Sequence, residues 1–161
     1  MPALSEAIRE KICAEFSKYP DKRAVTLPAL HIVHDEYRQV SLEAIREIAA
    51  LLELHPSEVH DTMSFYQFFR TEQNPLGKNR IWICRSIACM LRGGEELLSE
   101  TCHRTGLKPG ETSADGKITL EFAECLGGCD GAPCILVNDE CHMDMTPDST
   151  QELIEKLKVE S

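Results

Sequence analysis

Four cysteines are spaced as Cys84-x4-Cys89, a gap of 35 residues, then Cys125-x3-Cys129. Each pair lies within one turn of chain, so a fold that joins the two turns presents four soft sulfur ligands to one centre. Four thiolates suit a tetrahedral zinc, or a [2Fe-2S] cluster in which each iron takes two of them. Zinc loops favour C-x2-C, a spacing that neither pair has, and the spacing therefore leans towards iron while leaving zinc and free thiols open. Gly127 and Gly128 inside the second pair allow backbone amides to approach whatever the thiolates bind.

The charge narrows the classes of partner. The net charge is −10, with 9 basic against 12 acidic side chains in residues 1–79 and 8 against 15 in residues 80–161. That balance repels phosphate backbones and argues against nucleic acid. Residues 1–20 hold no apolar run like that of a signal peptide, and no stretch reaches the roughly 18 apolar residues of a membrane span. Eight cysteines in such a chain read as ligands or thiols in a cytoplasmic protein rather than as disulfides.

The pattern changes character near residue 80. Residues 1–65 read as helices. Ile8, Ile12 and Phe16 mark one helical face, ended by Tyr19-Pro20-Asp21; a second helix over 23–37 buries Leu27, Leu30 and Val33. Ser41 caps a third with Ile45, Ile48, Ala49 and Leu52 inward, and Pro56 opens a fourth carrying Val59 and Met63. Residues 66–79 are expected to link the two parts; Phe65, Phe68 and Phe69 near its start, and Trp82 beyond it, read as core. From 80 to 161 the order is β-α-β-β-β-α. Ile81–Ile83 form a strand running into Cys84, and a helix carries Leu97 and Leu98 to Gly106. Strands at Lys117–Phe122, Cys134–Val137 and Cys141–Met143 follow, then a last helix from Thr146-Pro147 burying Leu153, Ile154 and Leu157. The class is α+β or α/β: a helical bundle, then a small mixed sheet with flanking helices, with both cysteine pairs in loops past strand ends.

Over nearly its whole length the chain resembles the thioredoxin-like [2Fe-2S] subunit of NADH:quinone oxidoreductase (complex I) and its homologues in NAD-linked hydrogenases and formate dehydrogenases. The resemblance rests on Phe65-Tyr66 with Phe69, Pro75-Leu76-Gly77-Lys78, Cys84–Cys89, Pro109-Gly110-Glu111-Thr112 and Asp115-Gly116. It continues through Glu124-Cys125-Leu126-Gly127-Gly128-Cys129, Ala132-Pro133 and Val137-Asn138-Asp139. It implies a [2Fe-2S] cofactor held by Cys84, Cys89, Cys125 and Cys129, a thioredoxin-like domain over 80–161 and a helical docking domain over 1–65. It also implies one-electron transfer beside a flavoprotein subunit that binds FMN and NADH, on the cytoplasmic side of a membrane complex; the oligomeric state of the isolated chain is left open, a homodimer being one form it could take. No G-x-G-x-x-G after a strand and no Walker lysine motif occurs here, so the nucleotide chemistry is assigned to the partner and no catalytic residue to this chain. The rival class is a zinc-stabilised interaction module; a thiol–disulfide enzyme lacks its C-x-x-C.

Three cysteines depart from the family pattern. Cys134 stands where a larger apolar residue is usual, Cys141 where an aromatic is common, and Cys102 on the helix; they read as small core fillers, with ligand replacement as the sharper alternative for Cys134 and Cys141. All six histidines read as surface or packing residues. Arg85 and Arg92 flank the first pair, where their positive charge either favours a reduced cluster or is ordinary surface charge, and both readings stay open.

Overall fold

The computed structural model describes residues 3–160. The chain divides into two compact units that change over between Pro75 and Leu76. Positions 1, 2 and 161 of the expected domain bounds lie outside the described residues.

The first unit is built from α1 (Glu6–Glu15), α2 (Thr26–Tyr37), α3 (Leu42–Leu52) and α4 (Pro56–Phe65). The expected helix over 23–37 opens as a 3-10 turn at Arg23–Val25 and becomes α-helical only at Thr26, ending at Arg38 in the left-handed region (φ 59°). Ser41 caps α3 by accepting the Ala44 N–H at 3.0 Å. Pro56 takes the first position of α4, where its missing N–H costs nothing. Ile8, Ile12, Leu30, Val33, Ile45, Ile48, Leu52 and Val59 form one apolar cluster, each buried aliphatic side chain contributing about 1.5–3 kcal/mol of transfer free energy. Phe69 joins this core, but Phe65 is 80% exposed and Phe68 37% exposed, against the expectation that they pack inside. The buried face of α4 runs Val59–Met63, and Phe65 falls two residues past it, off that stripe.

The second unit is a four-stranded sheet in the order β2-β1-β3-β4, with β1 Asn79–Cys84, β2 Ile118–Ala123, β3 Ile135–Val137 and β4 Glu140–His142. β1 runs parallel to β2 and antiparallel to β3, and β3 is antiparallel to β4. The parallel pair is joined through α5 (Ile87–Leu91) and α6 (Gly94–Thr105); α7 (Pro147–Glu160) closes the unit. Strand periodicity sends Ile81, Ile83, Ile118, Leu120, Ile135 and Val137 into one cluster with Leu97 of α6 and Ile154 of α7. Leu153 and Leu157 of α7, expected to be buried, are only half-buried at the edge of that cluster. Trp82, expected in the core, is half-buried, with the Arg80 guanidinium 4.2 Å from its ring centre.

Candidate metal centre

Both cysteine pairs leave the sheet at adjacent strand ends. Cys84 is the last residue of β1 and lies opposite Ala123, the last residue of β2, in the parallel register. The loop carrying Cys125 and Cys129 therefore starts beside Cys84, whose Sγ stands 4.0 Å from the Glu124 carbonyl oxygen. Cys89 is carried back towards Cys84 by the short helix α5, on which it lies. Gly94 permits that return: a Cβ there would stand 2.8 Å from the Cys89 carbonyl oxygen and 3.0 Å from that of Cys84.

Cys84 and Cys89 are each 1% exposed. The third sulfur beside them is that of Cys134, 0% exposed, and the three sulfurs lie within 4.8 Å of one another. The Cys89 and Cys134 sulfurs are 3.8 Å apart. Cys125 and Cys129 lie outside this buried group and are exposed. Cys141 is exposed on β4 and Cys102 half-buried on α6. The place of Cys134 follows from the ladder: Ile83 pairs with Ile135, so one further step sets Cys84 opposite Cys134, and the Cys84 N–H donates to the Cys134 carbonyl at 3.2 Å. Sequence reasoning raised Cys134 as an alternative ligand but favoured it as a core filler, and did not place it beside Cys84 and Cys89. The β1–β3 register was the signal that carries that placement, and it is a pairing across 50 residues.

The electrostatics favour the thiolate at Cys84 and the neutral thiol at Cys89, Cys129 and Cys134. Burial alone would raise the Cys84 thiol. Backbone hydrogen bonding from Ser86, the Cys89 thiol, backbone hydrogen bonding from Leu126 and the Cys134 thiol outweigh it, and the net shift is downward. Donors that hold a thiolate are what a thiolate ligand requires. Burial, followed by interactions with Cys84, raises Cys89. Burial first, then Cys89, pushes Cys134 up to about 12. The Cys129 thiol is raised, first by the charge of Cys125. A Cβ on Gly128 would stand 3.2 Å from the Cys134 sulfur and 3.4 Å from that of Cys141, so the second loop passes close over these sulfurs.

Arg85 sits over the Phe122 ring at 4.0 Å and pairs with Glu124 at 2.5 Å, so its charge is already met by a carboxylate. Arg92 caps the end of α5 and is exposed. The apolar side chains of Ile87 (70% exposed) and Leu91 (76% exposed) flank the buried Cys89 on α5.

The model of the thioredoxin-like [2Fe-2S] ferredoxin family matches residues 12–158. One NADH-quinone oxidoreductase subunit of Rhizobium meliloti (strain 1021) is 34% identical over 151 residues, 94% of this chain and 89% of that protein. The corresponding NADH-quinone oxidoreductase subunit of Escherichia coli (strain K12) is 36% identical over 156 residues, 96% of this chain and 92% of that protein. Among solved structures, the NAD+-reducing [NiFe]-hydrogenase in its H2-reduced state superposes with a TM-score of 0.72 at 26% identity, over 84% of this chain and 23% of that one. The buried three-cysteine group is compatible with an iron–sulfur cluster, and the match to the family model covers most of the sequence: the chain belongs to the thioredoxin-like [2Fe-2S] ferredoxins.

Proposed function

We propose that this chain is a one-electron carrier whose [2Fe-2S] cluster is held by Cys84, Cys89, Cys125 and Cys129, beside an FMN- and NADH-binding flavoprotein subunit of an NADH:quinone oxidoreductase. The observation that carries the reading is the pairing of Cys84 with Ala123, which starts both cysteine loops from neighbouring ends of two parallel strands. When bound, such a cluster supplies a reversible one-electron change without bonding to a substrate. The chain's own residues prepare for it. Hydrogen bonding at Cys84 favours its thiolate. Ala88, Ala132 and Leu126 surround the buried sulfurs with apolar surface, which keeps water from them. Ile87 and Leu91 offer an exposed apolar flank to a docking partner. The full-length relatives named as NADH-quinone oxidoreductase subunits support this assembly.

Placement follows from the same reading: a peripheral subunit on the cytoplasmic side of a membrane complex. No helix among the described residues is long and apolar enough to cross a membrane. The hydrogenase superposition favours a second reading, the equivalent electron-transfer unit of an NAD-linked hydrogenase.

The test is the visible spectrum and metal content of anaerobically purified protein before and after dithionite. A red-brown chain with iron and sulfide in the two-to-two ratio of such a cluster, bleached on reduction, is expected. Alanine at Cys84, Cys89, Cys125 or Cys129 should lower iron content, whereas Cys102→Ala should not. A colourless chain holding one tightly bound zinc after cluster reconstitution overturns the proposal. Co-purification with a flavoprotein or with a hydrogenase separates the two assemblies.

A further inference from the structure

We propose that the cluster-free chain has a second way to bind metal: the thiolates of Cys84, Cys89 and Cys134 form a mononuclear site for one monovalent copper ion. This site is not the four-cysteine set, since it takes Cys134 and leaves out Cys125 and Cys129. It stands on the positions of three sulfurs and does not depend on the electron-carrier reading.

The spacing is that of a metal's ligands. A thiolate-bound metal with a metal–sulfur distance of about 2.3 Å sets its sulfurs roughly 3.8 Å apart in a tetrahedral arrangement and roughly 4.0 Å apart in a trigonal one. Cys89 and Cys134 are 3.8 Å apart, and all three sulfurs fall within 4.8 Å. The group is held from three directions. Cys84 is fixed by the end of β1, Cys89 by α5 packed against Gly94, and Cys134 by the hydrogen bond its carbonyl accepts from Cys84. No residue of the three is more than 1% exposed.

The chemistry of the donors selects the ion. The group is sulfur alone, in apolar surroundings of Ala88, Ala132 and Leu126. Thiolates select soft ions. Structural zinc takes four protein ligands, and this group supplies three. A soft ion content with low coordination, monovalent copper, matches the number and kind of donors. Binding exchanges thiol protons for Cu(I), with the protons passing to the buffer, and no electron moves because the copper arrives already reduced. Two of the three ligands are also cysteines of the four-cysteine set, so copper and cluster exclude one another.

The test uses the full-length chain freed of cluster, titrated anaerobically with Cu(I) against bicinchoninate as competitor. One Cu(I) per chain is expected. Cys134→Ala should weaken the apparent affinity by about 100-fold or more, since loss of an outer-shell partner alone costs about 10–100-fold. The Cys125→Ala/Cys129→Ala double variant should bind Cu(I) as the parent does. Cys134→Ser keeps the shape and replaces the soft donor, and it should behave as Cys134→Ala does. Unchanged affinity in folded Cys134→Ser, or lost affinity in the double variant, overturns the proposal. Copper-loaded parent given iron and sulfide should stay colourless while copper-free parent assembles its cluster; full assembly with copper retained also overturns it. A parent that never takes up a cluster but binds Cu(I) through Cys134 would sink only the electron-carrier reading.

Discussion

A Cβ on Gly94 would stand 2.8 Å from the carbonyl oxygen of Cys89, inside any ordinary contact distance. The neighbour is backbone, and it cannot swing aside as a side chain would. Gly94→Ala should therefore push α5 away and cost about 1–3 kcal/mol, the usual range for overpacking. Urea melts of the full chain measure the loss, and iron content after reconstitution should fall with it. A substitution with parent-like stability and iron content would show that the close approach does not constrain the cysteine.

Arg80 and Glu121 form an ion pair between β1 and β2, with side chains only 5% and 9% exposed. Removing one partner of a buried pair leaves the other charge uncompensated, at a cost of about 3–5 kcal/mol. Glu121→Ala should destabilise the chain on that scale. Arg80→Met/Glu121→Leu should cost much less, because both charges go together. Equal losses in the single and double variants, compared by denaturant unfolding, would contradict a desolvated pair.

Glu58 closes the start of α4, accepting the His55 N–H at 2.9 Å, and it also pairs with Arg23. The His55 backbone bond first, and then the Arg23 side chain, hold its carboxyl below the usual range. A lowered folded value means that the stabilisation is present above the unfolded pKa and is lost as pH falls through the folded one. Glu58→Gln should thus be less stable than the parent near neutral pH, the gap closing as the pH drops below about 4. Paired unfolding curves across that range check the sign; a constant gap would assign the effect to packing.

Arg85 is paired with Glu124, so the two should pull the potential of a bound cluster in opposite directions. Arg85→Ala should lower the midpoint and Glu124→Gln should raise it, each on the order of tens of millivolts, the scale of a solvent-screened unit charge. Both side chains are well exposed, at 44% and 74%. Anaerobic redox titration at low and high salt measures the shifts, which should shrink with salt.

Local signals in the sequence were reliable where one residue's chemistry decides a boundary. Ser41 caps α3 through its hydroxyl, Pro56 opens α4 through its ring, and Gly106, which lacks a Cβ, ends α6 in the left-handed region. The first three strands fall where apolar, partly β-branched runs place them and the fourth where the Asn138-Asp139 turn does, all shifted by a residue or two at their ends. The five-residue α5 that carries Cys89 was not readable, because one turn shows no periodicity. Phe65 was misread as core because aromatic composition does not tell which side of a helix end a ring leaves from. The buried sulfur group was only half readable. Cys84 and Cys89 announce themselves by spacing, but Cys134 reaches them through the β1–β3 register, which no local pattern encodes. The pairing of Arg85 with Glu124 is hidden in the same way by the parallel β1–β2 register.

The parallel join of β1 to β2 also sets an order of events during synthesis. Cys84 leaves the ribosome 41 residues before Cys125 and 50 before Cys134. At about 5–20 residues per second, that interval is roughly 2–10 s. Throughout it the nascent chain carries one thiol pair with neither the partner loop nor the strand that buries it. The order of the strands therefore acts as a timer: the buried group of Cys84, Cys89 and Cys134 cannot form until residue 134 has emerged.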